Sequence, residues 1–208
     1  MLLSSVGSAL NGENVANCRS PWAERMGEQL ASPEVTIMDD PLTPAPLCAR
    51  YDDEGSPARV KHLLRSGVLE SFLRDNYNAP STGNGLRRSP SDMRESFLNP
   101  LTVKPMNLCV LPGRGEREDL ISQVDEGVLV EKFAWPEADP FTGRFALEVR
   151  CGLLIKNGEV TGTVKNALLT GNMLEALSRV EAIGADLTCT GNATVPTMSF
   201  RGMELLGD

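Results

Sequence analysis

The chain has 208 residues, 41% of them apolar, and a formal net charge of −8. This length and composition suit one domain with a substantial core, so we predict a single domain over residues 1–208. The acidic balance argues against direct binding of nucleic acid, because phosphate contacts need clustered Lys and Arg side chains.

The apolar runs and the cysteines indicate the compartment. No run reaches the roughly 20 apolar residues that a membrane-spanning helix needs, so we predict no membrane association. The five cysteines lie far apart, with no C-x-x-C pair: Cys18, Cys48, Cys109, Cys151 and Cys189. An odd number at such spacing indicates reduced thiols rather than a disulfide framework, and we expect a cytoplasmic protein.

The first forty residues favour two helices and a strand. Apolar residues within 2–10 recur at helical spacing, and Gly12 is placed to end this helix. A second helix is predicted over residues 21–30, because Ser20 is a good N-cap and a proline follows it. Alternation of polar and apolar residues then predicts a strand over residues 34–38.

Residues 51–88 carry the clearest turn chemistry. An acidic turn, D-D-E-G, occupies residues 52–55. Two apolar runs, 60–64 and 68–73, then flank Ser66-Gly67, which is a β-hairpin signature because glycine supplies the positive φ of a tight turn. A glycine-rich turn, T-G-N-G, closes the unit at residues 82–85.

The second half of the chain alternates strands with two helices. Strands are predicted over 106–111, 128–133, 145–155, 160–164, 187–190 and 197–205, and helices over 116–126 and 170–181. Asn157-Gly158 predicts a two-residue hairpin turn. The sum is an α+β fold that is β-rich, with mostly antiparallel curved sheets and three or four packed helices.

An ordered series of motifs resembles the TldD/PmbA family, also called modulators of DNA gyrase. The motifs are D-D-P at 39–41, D-D-E-G at 52–55, S-T-G-N-G at 81–85, N-L-C-V-L-P-G at 107–113, T-G-R-F at 142–145, G-L-L-I-K-N-G-E-V at 152–160 and T-G-N-M-L-E-A-L at 170–177. Each motif is short, but their order is specific and spans nearly the whole chain. The resemblance is to the C-terminal half of the family, which implies that the family's N-terminal α/β domain is absent here.

The resemblance also bears on metal binding, because the family includes metallopeptidases whose zinc is held by a His-Glu helix. When Gly7 is set against the family's glycine, Leu3, Ser4 and Ser8 occupy the positions of His, Glu and His. Leucine cannot ligate a metal, and a neutral serine hydroxyl is a poor zinc ligand and a poor base. We therefore predict no catalytic residues, no metal site and no cofactor in this chain. Zinc is expected only in a TldD-like partner.

Three further groups carry atoms that can bind a metal. Cys189 lies near the position of the family's C-terminal Cys ligand but lacks its Cys-Gly-Lys context. His62, the only histidine, lies in an apolar strand, where a structural or solvent-facing role is favoured. The acidic residues could bind a divalent cation through oxygen, although turn formation and solvation explain them more simply; they are Asp39, Asp40, Asp52, Asp53 and Glu54.

Loss of the His-Glu motif marks the PmbA branch, also called TldE, whose members pair with a TldD subunit. The resemblance thus implies a metal-free subunit, or C-terminal domain, of a peptidase complex that acts on unfolded or leader peptides. Candidate peptide-binding residues are Asp53, Glu54, Gly83, Asn84 and Gly85; the glycine-rich turn offers backbone N–H groups, or is simply a tight connection that needs glycine. The alternatives are a stand-alone structural or homo-oligomerising module without a proteolytic role, and an intact peptidase that uses Cys189 and the acids.

Overall fold

A computed structural model describes residues 2–44, 47–75, 92–93 and 101–207. The fold is α+β and strand-rich with mostly antiparallel pairing, as the sequence predicts. Over the described residues the helices are α1 (Leu2–Ala9), α2 (Gly12–Ala16), α3 (Arg117–Ser122) and α4 (Met173–Ala176), the last followed by a 3₁₀ turn at Leu177–Arg179. None of these helices is both long and apolar enough to cross a lipid bilayer.

The strands of the described residues form two larger sheets and two strand pairs. They are β1 (Ile37–Asp39), β2 (Lys61–Arg65), β3 (Val68–Leu69), β4 (Asp92–Met93), β5 (Thr102–Val103), β6 (Leu108–Val110), β7 (Glu126–Phe133), β8 (Arg144–Lys156), β9 (Glu159–Val164), β10 (Ala167–Asn172), β11 (Val180–Ile183), β12 (Thr188–Thr190), β13 (Ala193–Val195), β14 (Met198–Phe200) and β15 (Glu204–Leu206). The pairs are β4 with β5 and β11 with β14.

The large sheet has the strand order β12-β13-β6-β1-β2-β3. All its pairings are antiparallel except that of β13 with β6. One face carries the main hydrophobic core, in which Ile37 of β1 and Val110 of β6 are fully or almost fully buried. Val6 and Leu10, from α1 and the residue that follows it, are buried in the same cluster.

The smaller sheet is built along the long strand β8. Strand β7 pairs with one edge of β8, while β9 and β10 pair with different halves of the other edge, and β15 continues the sheet beyond β10. The β8–β9 connection is the predicted Asn157-Gly158 turn, with φ of 49° and 76°. Phe145, Leu147 and Met173 form a second, smaller buried cluster here.

The hairpin predicted at Ser66-Gly67 is confirmed. It joins β2 to β3, and both turn residues have positive φ, 45° and 78°. Residues 76–91, which include the T-G-N-G turn, lie outside the described residues.

The helix predicted over residues 21–30 is wrong. Its backbone bonds to the hairpin instead: the Gly27 N–H donates to Leu69 O, the Leu30 N–H donates to Gly67 O, and the Leu69 N–H donates to Glu28 O. Gly27 has φ of 82°, which a helix does not allow. The helical turn lies earlier, where Asn11 caps α2 at Gly12, the residue expected to end the first helix.

The two later helices are shorter than predicted, and their boundaries differ. Thr170 lies within β10, and the N-cap of α4 is Asn172, whose side chain accepts from the N–H groups of Leu174 and Glu175. Gly127, which follows the predicted end of α3 at residue 126, is part of β7. In both places strand pairing takes backbone groups that a longer helix would need.

Candidate functional site at the edge of the large sheet

The opening helix and the hairpin that carries Cys189 meet at Pro105. A Cβ atom on Gly7 of α1 would lie 3.9 Å from Pro105 Cγ, which is ordinary van der Waals contact. From the other side, Asn192 in the β12–β13 turn donates from Nδ2 to Pro105 O at 2.9 Å. The fold therefore brings two segments that are distant in the sequence to one place.

The acidic motifs make turns, as the sequence predicts. The Asp40 carboxylate accepts from the Leu42 and Thr43 N–H groups and, at 2.6 Å, from the Thr43 hydroxyl. The Asp52 carboxylate accepts from the N–H groups of Glu54, at 3.1 Å, and Ser56, at 2.7 Å. The expected solvation of Asp40 and Asp52 is wrong, because both side chains are buried.

Asp39 has a different role from its neighbour. Its Oδ1 accepts from the Asn107 N–H at 2.7 Å, and its Oδ2 lies 2.8 Å from Lys61 Nζ in a buried ion pair. Burial lowers the pKa of Lys61, while the carboxylates of Asp39 and Asp52 oppose that shift. The cluster links β1, β2, the acidic turn and the residue before β6. Its signals in the sequence are the D-D-P motif and a lysine inside the apolar run 60–64.

The predicted peptide-binding residues are only partly described. Asp53 is exposed and Glu54 half-buried, both in the acidic turn beside Asp52. Gly83, Asn84 and Gly85 lie outside the described residues. The peptide site at these five positions therefore stays a prediction.

The open edge of the large sheet is β12. All three of its residues are exposed, and its outer side pairs with no strand among the described residues. The β12–β13 hairpin closes with Thr190 opposite Ala193, so Cys189 and Thr194 form the next pair inward. In an antiparallel ladder, pairs that exchange hydrogen bonds alternate with pairs whose N–H and C=O groups point away from each other. The pair that closes a two-residue hairpin is of the first kind, so the pair of Cys189 and Thr194 is of the second. Cys189 therefore presents its backbone groups to the open side, where an extended peptide can pair.

Comparison with known proteins identifies the family. Residues 1–207 match the family model described as the PmbA/TldA metallopeptidase C-terminal domain. The chain belongs to the TldD/PmbA family. A metalloprotease TldD homolog of Buchnera aphidicola is 30% identical over 193 residues, or 90% of this chain and 38% of that protein. A metalloprotease of Archaeoglobus fulgidus is 30% identical over 181 residues, or 87% of this chain and 41% of that protein.

A solved structure of the family has the same fold. The crystal structure of TldE from Thermococcus kodakarensis matches with a TM-score of 0.88 at 28% identity, and the match covers 99% of this chain and 47% of that one. The chain spans about two-fifths of the length of the curated relatives named above.

The TldD/PmbA family includes metalloproteases, and the resemblance sets α1 against the family's zinc helix. The question is whether the residues of α1 can hold zinc. Leu3 has no atom that can ligate a metal. Ser4 is exposed, and the Ser8 hydroxyl accepts from Asn14 Nδ2 at 3.1 Å. Zinc in proteins is held by thiolate, imidazole or carboxylate groups, none of which these residues supply. In the described part of the chain, no three His, Cys, Asp or Glu side chains group as metal ligands. The donors of α1 do not fit zinc.

Proposed function

We propose that this chain is a metal-free, PmbA/TldE-like subunit, or C-terminal domain, of a cytoplasmic metallopeptidase complex that acts on unfolded or leader peptides. The observation that carries the proposal is the chemistry of α1. The fold matches that of TldE over 99% of this chain, and α1, which the resemblance sets against the family's zinc helix, offers a leucine and two serines. In this proposal a TldD-like subunit supplies the zinc.

The contribution of this chain is to bind and align the peptide. An unfolded peptide has free backbone N–H and C=O groups, and an open strand can pair with these whatever the side chains are. Strand β12 is such an edge, and it lies in the hairpin that meets α1 at Pro105. Strand addition here would hold the peptide extended beside the partner subunit.

Co-expression with a TldD-like metallopeptidase tests this subunit role. We expect the two chains to purify together at a fixed ratio, with zinc in proportion to the partner alone. A matched control carries the partner with its own zinc ligands substituted, which should keep the association and lose the metal. Failure of the chains to associate, or zinc in proportion to this chain, would contradict the proposal.

A second candidate function is a homo-oligomerising module, because leucines are exposed at the far edge of the small sheet. Leu168 of β10 and Leu206 of β15 are paired and are 38% and 55% exposed. Adjacent exposed leucines at a sheet edge are a common feature of interfaces between copies. Light scattering separates the two candidate functions. A homodimer that persists when the metal-bearing homologue is added favours the homo-oligomerising module. A mixed complex that replaces the homodimer favours the metallopeptidase subunit.

A further inference from the structure

The register of the large sheet places five side chains in one row on the face opposite the main core. Successive partners across four neighbouring pairs are Cys189, Thr194, Cys109, Met38 and His62. Directly opposed residues share a face of the sheet. The apolar neighbours of Met38 and Cys109 along β1 and β6 belong to the main core on the other face: Ile37, Leu108 and Val110. We call this set the outer row. It is unusual because two thiols, a thioether and the only imidazole of the chain lie on adjacent strands.

Three adjacent members of the outer row carry soft or borderline donor atoms. They are Cys109, Met38 and His62, each half-buried. Side chains opposed across antiparallel strands have Cβ atoms about 4.5–5.5 Å apart, so the outer two can lean over the central thioether. Half-burial leaves the row accessible from solvent while it limits the mobility of the side chains.

An unpartnered imidazole nitrogen points to a ligand. His62 Nδ1 is buried and has no hydrogen-bond partner. Buried polar atoms of folded proteins nearly always have a partner, so an orphaned nitrogen requires an explanation. At the other end of the group, the Cys109 thiol has only a long contact of 3.5 Å to Asn107 O and a hydrogen bond with Thr194. The imidazole nitrogen therefore has a lone pair for an ion, and the Cys109 sulfur gains one when its proton leaves.

We propose that Cys109, Met38 and His62 bind a Cu(I) ion. Thiolate and thioether sulfur select Cu(I), and imidazole also suits copper. Zinc is a poorer match, because its protein ligands are thiolate, imidazole and carboxylate, usually four of them, and a thioether is not among them. The site is separate from the proposed function, in which metal-free means without a catalytic zinc, and neither proposal depends on the other.

Binding is an exchange of a proton for the metal, without a redox step. The S–H bond of Cys109 breaks, its proton goes to solvent, and a copper–sulfur bond forms. Met38 and His62 each donate a lone pair and stay neutral. The bound site therefore has no net charge, which suits a half-buried face.

Competition for Cu(I) against the chelator bicinchoninate, with reduced protein and no oxygen, tests the site. The wild-type chain should take up one equivalent. Cys109→Ser, Met38→Leu and His62→Gln should each weaken the affinity by about tenfold or more, since the loss even of supporting groups at metal sites costs 10–100-fold. Met38→Leu preserves the apolar volume, so it separates ligation from packing. Cys151→Ser, which removes an exposed thiol from β8, should have no effect.

X-ray absorption spectroscopy at the copper edge gives an independent readout. We expect two sulfur ligands and one nitrogen ligand around the copper ion. Circular dichroism of each variant verifies that it is folded. The proposal is overturned if the chain takes up less than one equivalent, or if Met38→Leu leaves the affinity unchanged. It is equally overturned if Cys189→Ser abolishes binding while Cys109→Ser does not, because the ion would then lie at the strand edge.

Discussion

At the residue scale, Asp40 is a buried carboxylate that stays ionised because of its turn. Burial raises its pKa, but the hydrogen bonds from Thr43 and Leu42 together outweigh that effect and leave the pKa below the ordinary value of an aspartate. A carboxylate whose pKa is lower in the folded state stabilises the protein above the unfolded value, and this contribution is lost as the pH falls through the folded value.

Asp40→Asn should therefore lower the free energy of unfolding by about 1–2 kcal/mol at pH 7, because hydrogen bonds to a charged acceptor become bonds to a neutral one. The variant should also lose less stability than wild type when the pH falls from about 4 to 2. Urea unfolding at both pH values measures this. Asp125→Asn, at an exposed position far from this turn in sequence, is the control and should match wild type. If Asp40→Asn and wild type lost equal stability in acid, the turn would not be stabilising the ionised form of the Asp40 carboxylate.

The ion pair of Lys61 with Asp39 gives a second residue-scale prediction. Lys61→Met leaves a buried carboxylate without its cation and should lower the free energy of unfolding by about 3–5 kcal/mol. Adding Asp39→Asn removes the stranded charge and keeps an oxygen that can accept from the Asn107 N–H. The double variant should recover at least half of the loss in urea unfolding. A double variant less stable than Lys61→Met would contradict this account of the cluster.

At the element scale, two glycines with the same backbone angle separate strain from contact. Gly55 and Gly67 both have φ of 78°, but a Cβ atom on Gly55 meets nothing within 4 Å. One on Gly67 would overlap the carbonyl oxygens of Ala31 and Ser32, 2.7 Å from the latter. Gly55→Ala should cost about 1 kcal/mol from the left-handed backbone alone. Gly67→Ala should cost at least about 3 kcal/mol, because the hairpin must also move away from its neighbours. Equal losses in thermal or urea unfolding would show that the 21–32 segment does not pack against this turn.

The open edge of β12 gives a prediction that depends on one backbone N–H. Cys189→Pro removes the outward donor, whereas Cys189→Ala removes only the thiol, and edge strands tolerate proline on their open side. In the complex with a TldD-like subunit, Cys189→Pro should weaken binding of a labelled unfolded peptide by about tenfold, measured by fluorescence anisotropy. This is the effect of losing one backbone hydrogen bond to the peptide. Cys189→Ala should bind as wild type does. Equal binding by the two variants would place the peptide elsewhere.

The sequence predicted what depends on neighbouring residues and missed what depends on distant ones. The turns at Ser66-Gly67 and Asn157-Gly158 follow from local backbone chemistry, and both were found. The segment 21–30 has a good local helix signal, but its hydrogen bonds go to Leu69 and Gly67, about forty residues away. Burial of Asp39 with Lys61 could not be predicted for the same reason.

The outer row could not be predicted from the sequence either. It depends on the register of five strands drawn from four parts of the chain, whereas His62 alone favoured a structural or solvent-facing role. The resemblance to the TldD/PmbA family did predict the whole-chain assignment, because its motifs are short and ordered.

At the scale of the whole molecule, the family fold is retained, while α1 carries a leucine and two serines that do not fit zinc. The match to TldE covers 99% of this chain, and α1 remains packed against Pro105, next to the hairpin of β12 and β13. A structure preserved around a site without metal ligands is consistent with a subunit that aligns substrate for a catalytic partner. In this account hydrolysis belongs to the partner and peptide alignment to this chain.

Hydrolysis of an unfolded peptide substrate by the purified chain, with and without a zinc chelator, tests that account most directly. We predict no hydrolysis above buffer for the chain alone, and chelator-sensitive hydrolysis once a TldD-like subunit is added. Chelator-sensitive hydrolysis by this chain without any partner would contradict it.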